Sequence, residues 1–185
     1  LDKGVRLSQN GAIRDEVETS IWRKRMRLDG KVAIISGAGA GMGAEEARLF
    51  AREGAKVVIA DVLEEEGKRL EAEISETGRE AMFVRTDVTK EEDWERVVGE
   101  TVARFGKLDI LVNNAGISST SVNDPSDSDA WRRIMDVNAT GVFLGTKYAI
   151  PEMKRSGGGS IVNISSIMGF VGGEAGHPAY HASKG

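Results

Sequence analysis

From residue 31 onward the apolar positions of this chain alternate between two rhythms. Residues 32–35 form a short apolar run rich in β-branched side chains, which suits a strand buried on both faces of a parallel sheet. A helix beginning near Met42 follows, with Ala47, Phe50 and Ala51 at helical spacing over residues 44–52 and Gly54 as its stop. Residues 56–60 read as a second strand ending at Asp61. Residues 63–77 read as a charged helix with Leu63, Gly67, Leu70 and Ile74 along one side, closed by Gly78. A third strand is predicted over 81–85, closed by Thr86-Asp87-Val88. The next helix, 90–105, has Trp94, Val97, Val98, Val102 and Phe105 as its buried stripe. A fourth strand over 109–112 runs into Asn113-Asn114-Ala115-Gly116, a long helix spans 129–154, and a fifth strand over 161–164 ends at Ser165-Ser166.

Strands joined by helical crossovers predict an α/β fold, a doubly wound parallel sheet in three layers, with helices on both faces. Every polar or glycine-rich motif falls at the carboxyl end of a predicted strand, the edge at which such sheets form their ligand crevice. Residues 29–185 read as this one domain. Residues 1–28 stand apart as a flexible extension, with Ile13, Val17 and Ile21 at the spacing of a short surface helix. Their basic run, residues 23–27, suits a solvated tail or contact with an anionic surface.

Composition narrows the picture by exclusion. A net charge of −4 argues against nucleic acid as the main partner, and no apolar run has the length of a membrane span. With no cysteine there are no disulfides and no thiolate chemistry, which fits a reducing, cytoplasmic setting. The two histidines, His177 and His181, belong to no cluster with zinc-site spacing, so no metal is expected.

The first strand runs into Ser36-Gly37-Ala38-Gly39-Ala40-Gly41-Met42-Gly43. Glycines permit a tight turn and close ligand approach, and the helix start behind them aims free N–H groups and a positive dipole end at the turn. A phosphate suits that place. Asp61 lies 18 residues past Gly43, where a carboxylate can accept from both hydroxyls of an adenosine ribose and repel a 2′-phosphate. Ala40 offers that phosphate no positive charge, so the pattern favours NAD over NADP; helix capping is the competing role for Asp61. Asp87 can accept from the adenine amino group, with Val88 packing on the ring, or cap the following helix. If residues 180–184 are helical, Tyr180 and Lys184 share one face at i and i+4. An ammonium beside a phenol favours the phenolate, a suitable proton-exchange partner for an alcohol or carbonyl. A surface Tyr/Lys pair is the plainer alternative. Ser166, 14 residues upstream of Tyr180, stands at a strand end on the same crevice.

Taken together, Ser36-Gly37-x-x-x-Gly41-x-Gly43, Asp87-Val88, Asn113-Asn114-Ala115-Gly116, Asn138, Ser166 and Tyr180-x-x-x-Lys184 resemble the NAD(P)-dependent short-chain dehydrogenase/reductases from about residue 28 to the end. The resemblance implies a Rossmann-like fold and a tetrad. Tyr180 is then the general acid/base, Lys184 tunes it and binds the nicotinamide ribose, Ser166 orients the substrate oxygen, and Asn138 holds a relay water. It also implies NAD contacts from Ser36, Gly37, Gly41, Met42, Gly43, Asp61, Asp87, Val88, Asn114, Ala115, Tyr180 and Lys184, with Asn113 and Asn163 structural. His177 and His181 match no catalytic position and read as rim or surface.

Ser36 stands where the family usually has threonine. One extra residue between Ser166 and Tyr180 predicts a bulge over 172–177 and leaves Ser165 as the alternative to Ser166. Family members continue past the lysine with the rest of that helix and two more strands, so the last strands are expected to be missing here and the fifth strand's outer edge unpaired. The expected activity is interconversion of a small-molecule secondary alcohol and ketone. A non-catalytic NAD-binding or interaction scaffold is the rival. Met168, Phe170 and Val171 fit an apolar substrate or core packing equally well. A homo-oligomer, dimer or tetramer, is implied through the long helix and the helix near Tyr180.

Overall fold

The computed structural model describes residues 26–118, 124–172 and 178–185. The helix expected on Ile13, Val17 and Ile21, most of the basic run, the bulge beyond Gly172, and His177 lie outside the described residues. Five parallel strands form one sheet in the order β3-β2-β1-β4-β5. They are β1 Val32–Ser36, β2 Lys56–Asp61, β3 Ala81–Arg85, β4 Ile110–Asn113 and β5 Ser160–Asn163. The chain builds outward from β1 to β3, then returns to add β4 on the other side of β1. Between β1 and β4 the connections diverge, which opens a crevice at the carboxyl ends.

Alternate side chains of the sheet feed two cores. Ile34, Val58 and Leu111 pack against Trp94, Val97 and Val98 of α3 (Glu91–Phe105) and Leu144, Ala149 and Met153 of α5 (Gly141–Arg155). Ile35, Val57 and Ile59 pack against α1 (Gly41–Arg52) and α2 (Glu64–Glu76) through Ala47, Ala51, Leu70 and Ile74. Burial on both faces is why β1 and β2 carry unbroken apolar runs. At the base of the switch point Asp109 accepts from Val32 N at 2.9 Å and pairs with Lys31 and Lys107. Burial pushes its carboxyl up, but the Lys107 ammonium, the Val32 N–H and Lys31 outweigh that and hold it below the usual aspartate value.

The structure differs from the sequence expectation in three places. The helix expected over 129–154 is continuous from Ser128 to Arg155 but not α-helical throughout: α4 (Ser128–Met135) passes into a π-helical turn, Asp136–Thr140, before α5 begins. Leu63 does not join the inner face of α2 but precedes it, with its N–H donating to Asp61 Oδ1 at 2.9 Å and its side chain exposed. The strands β4 and β5 start and end one residue from their expected bounds. As expected, β5 pairs only with β4 among the described residues, and its Val162 is 42% exposed.

Candidate active site

At the carboxyl end of β1 the chain turns at Gly37, whose φ of 67° lies in the left-handed region. Any Cβ on Gly37 would sit 2.7 Å from Ala115 Cα, and one on Gly43 would sit 2.3 Å from the Gly37 carbonyl oxygen. Only bare backbone fits at either position. The following helix, α1, starts at Gly41 without a side-chain cap on Ala40 and without an acidic residue in its first turn. Its leading N–H groups and positive dipole end therefore face the turn with no acidic side chain from the helix's own first turn. Such a cradle fits the pyrophosphate of a dinucleotide.

Two expected cofactor residues hold this cradle from behind. Ser36, 1% exposed, accepts from Asn114 N and Ala115 N at 3.2 and 3.1 Å and donates to Val112 O. Asn114 Nδ2 donates to the carbonyls of Ser36 and Gly37 at 3.0 and 3.1 Å. Ser36 is thus placed beneath the turn rather than in the cavity, whereas Gly37, Met42, Asn114 and Ala115 line it. Gly41 and Gly43 shape the turn without lining that space. Asn113 spans the sheet instead, with Nδ2 donating to Asn163 Oδ1 at 2.9 Å.

The cavity measures about 710 Å³ and runs from Asp61 to Lys184. At one end Asp61 accepts from Gly39 N through Oδ2 at 2.8 Å, which fixes the carboxylate against the glycine turn. Asp87 and Val88 line the same end. Asp87 Oδ1 accepts from both the N–H and hydroxyl of Thr89, so it closes the turn before α3 rather than capping the helix itself. Val62, Leu63 and Thr86 also line this end and were not singled out as site residues from sequence; each lies within two residues of Asp61 or Asp87, which were.

At the other end stand Ile164, Ser165, Tyr180 and Lys184. Helix α6 (Pro178–Lys184) carries Tyr180 and Lys184 one turn apart, and Lys184 Nζ donates to the Ile164 carbonyl at 2.7 Å. Burial pushes the Lys184 ammonium down from its ordinary value. A Cβ added to Gly116 would lie 3.4 Å from both Lys184 Nζ and Asn138 Oδ1, so those two groups converge on one side of the loop after β4. Asn138 is held in the π-helical turn, 3% exposed, with Oδ1 accepting from Ile117 N at 2.8 Å and Nδ2 donating to Ile117 O at 3.0 Å. The paired serines separate here. Ser165 lines the cavity and donates to the Lys184 carbonyl; Ser166 does not line it and accepts from Met168 N at 3.2 Å. His181 is half-buried on α6, its Nδ1 3.0 Å from the Met168 carbonyl. Among the described residues no group of three or more His, Cys, Asp or Glu is arranged to hold a metal ion.

Fold and cavity together define a doubly wound dinucleotide-binding architecture with a tyrosine–lysine pair at one end. The chain belongs to the short-chain dehydrogenase family, whose model matches residues 31–185. It is 51% identical over 164 residues to a trans-4-hydroxycyclohexanecarboxylate dehydrogenase of Sinomonas cyclohexanicum, covering 85% of this chain and 62% of that protein. It is 48% identical over 158 residues to a 3-alpha-(or 20-beta)-hydroxysteroid dehydrogenase of Mycobacterium bovis, covering 85% and 59%. A cyclopentanol dehydrogenase of a Comamonas strain is 43% identical over 159 residues, covering 86% and 63%. The chain thus spans about three fifths of the length of these curated relatives. Among solved structures, a short-chain type dehydrogenase/reductase from Mycobacterium marinum superposes with a TM-score of 0.80 at 32% identity, covering 86% of this chain and 66% of that one.

Proposed function

We propose that this protein is an NAD-dependent oxidoreductase that interconverts a secondary alcohol and a ketone. The observation that carries the proposal is the meeting of Asp61, Gly37, Ala115, Tyr180 and Lys184 around a single cavity. Bound NAD supplies the hydride acceptor. Gly37 and the start of α1 take the pyrophosphate, Asp61 accepts from the adenosine ribose hydroxyls, and Val88 packs on the adenine with Asp87 beside it. In alcohol oxidation Tyr180 removes the hydroxyl proton as the carbon gives up its hydride, and it returns a proton in ketone reduction. Lys184 binds the nicotinamide ribose, Ser166 orients the substrate oxygen and Asn138 holds a relay water. The activities for which the relatives are named, on hydroxycyclohexane, steroid and cyclopentanol frameworks, favour an alcohol borne on a ring.

Among the described residues no helix is long and apolar enough to cross a membrane. A homo-oligomer located in the cytoplasm completes the reading. The test is NADH formation in the full-length protein with cyclopentanol, cyclohexanol and a 3-hydroxysteroid, alongside Tyr180→Phe. Turnover in the parent and a loss of most of it in Tyr180→Phe, with NAD binding retained, are expected. Unchanged turnover in Tyr180→Phe removes the tyrosine from the chemistry. NAD binding without turnover of any secondary alcohol favours the scaffold reading.

A further inference from the structure

Ser183 has no part in the chemistry assigned above, yet its hydroxyl joins two elements that carry that chemistry. It accepts from Asn138 Nδ2 at 3.0 Å and donates to the Tyr180 carbonyl at 3.0 Å. The second bond is a helix back-bond that fixes the hydroxyl's direction and turns an oxygen lone pair toward Asn138. The Asn138 amide then has one orientation only. Its Oδ1 must accept from Ile117 N, and Nδ2 must donate to Ile117 O with one hydrogen and to Ser183 with the other. Ile117 is on the loop after β4, Asn138 in the π-helical turn, and Ser183 on α6 directly before Lys184.

We infer that Ser183 is a positioning residue, whose hydroxyl docks α6 onto Asn138 and so sets Lys184 and Tyr180 against the loop at Gly116. The inference rests on the oxidoreductase reading for its kinetic consequence, but the bond itself can be tested without turnover. A helix back-bond alone would leave Ser183 indifferent to Asn138. A docking role makes the two residues act as a unit, and their losses are then non-additive.

The experiment is a double-mutant cycle in the full-length protein with Ser183→Ala, Asn138→Ala and the pair. Ser183→Ala should lower kcat by about tenfold, the size of one lost hydrogen bond, with KM for NAD within about twofold. In the Asn138→Ala background the same change should cost little more. A kcat within about twofold of the parent, or losses that multiply in the double variant, overturns the inference. Should Ser183→Ala fail to fold, Ser183→Thr and Ser183→Cys carry the comparison: Thr keeps the hydroxyl and should retain kcat, Cys weakens the bond and should lose it, and equal values overturn the role. Independently of turnover, the Asn138 side-chain amide resonance, assigned by Asn138→Ala, should move in a nitrogen–proton correlation spectrum of the Ser183 variant. An unmoved resonance sinks the positioning role even where the enzyme reading stands. A resonance that moves in the Ser183 variant, with no NADH formed by the parent protein, sinks the enzyme reading alone.

Discussion

Lys184 Nζ donates to the carbonyl of Ile164 at 2.7 Å, tying the last turn of α6 to the end of β5. The same setting buries the ammonium and lowers its affinity for a proton. The unfolded chain then holds that proton to higher pH than the folded one. Between the folded value and the unfolded lysine value near 10.4, folding releases a proton and stability rises with pH. Lys184→Met should flatten that rise. Urea unfolding midpoints of parent and variant, compared from about pH 8 to about pH 10.5, measure it. Parallel pH profiles would mean that the lysine is not desolvated.

The neighbouring serines give a second expectation. Ser165 spends its hydroxyl on the Lys184 carbonyl, while Ser166 accepts from Met168 N through a lone pair, a bond that does not use its proton. Ser166→Ala should cut kcat/KM for an alcohol by about a hundredfold, the scale of a donor lost beside a developing oxyanion. Ser165→Ala should cost about tenfold or less. The reverse order would assign the substrate oxygen to Ser165.

Asp61 anchors the glycine turn and, on the proposed function, also selects the cofactor, and one substitution can separate the two. Its carboxylate anchors Gly39 N and Leu63 N, so Asp61→Ala should weaken the binding of either nicotinamide cofactor by loosening the turn. Loss of the charge, in contrast, acts against NAD alone. The NAD:NADP ratio of kcat/KM should fall by at least about tenfold, the scale of a charged hydrogen bond. A ratio that stays put removes Asp61 from cofactor choice.

Gly145 lies under the sheet, where a Cβ would come 2.6 Å from Asn113 Oδ1 and 2.7 Å from the Trp94 ring. Both neighbours are buried in a packed core, so neither has room to yield. Gly145→Ala should cost about 1–3 kcal/mol in urea unfolding, although alanine is the better helix former. A neutral or stabilising result would mean that α5 shifts freely against β4.

The sheet was readable because β1 and β2 are buried on both faces and carry that fact in unbroken apolar runs. That Asp61, Asp87 and Tyr180 would reach one cavity was readable, from the distance of Asp61 past the glycine turn, the strand-end position of Asp87 and the spacing of Tyr180 to Lys184. The π-helical turn was not, since its displaced backbone bonds have no side-chain signature and Asn138 looks the same in either kind of helix. Ile117 enters the site through its N–H and carbonyl alone, which any residue could supply. The division of labour between Ser165 and Ser166 depends on which way the chain turns after β5 ends at Asn163, and two identical neighbours give no hint of that.

Gly37, Asp61 and Val88 come from one half of the polypeptide, and Ser165, Tyr180 and Lys184 from the other. Heritable change can therefore act on the two ends separately. On the proposed function, substitutions early in the chain would act on the adenosine end of the nucleotide and those late in the chain on the end where the alcohol reacts, so a change at one need not rebuild the other.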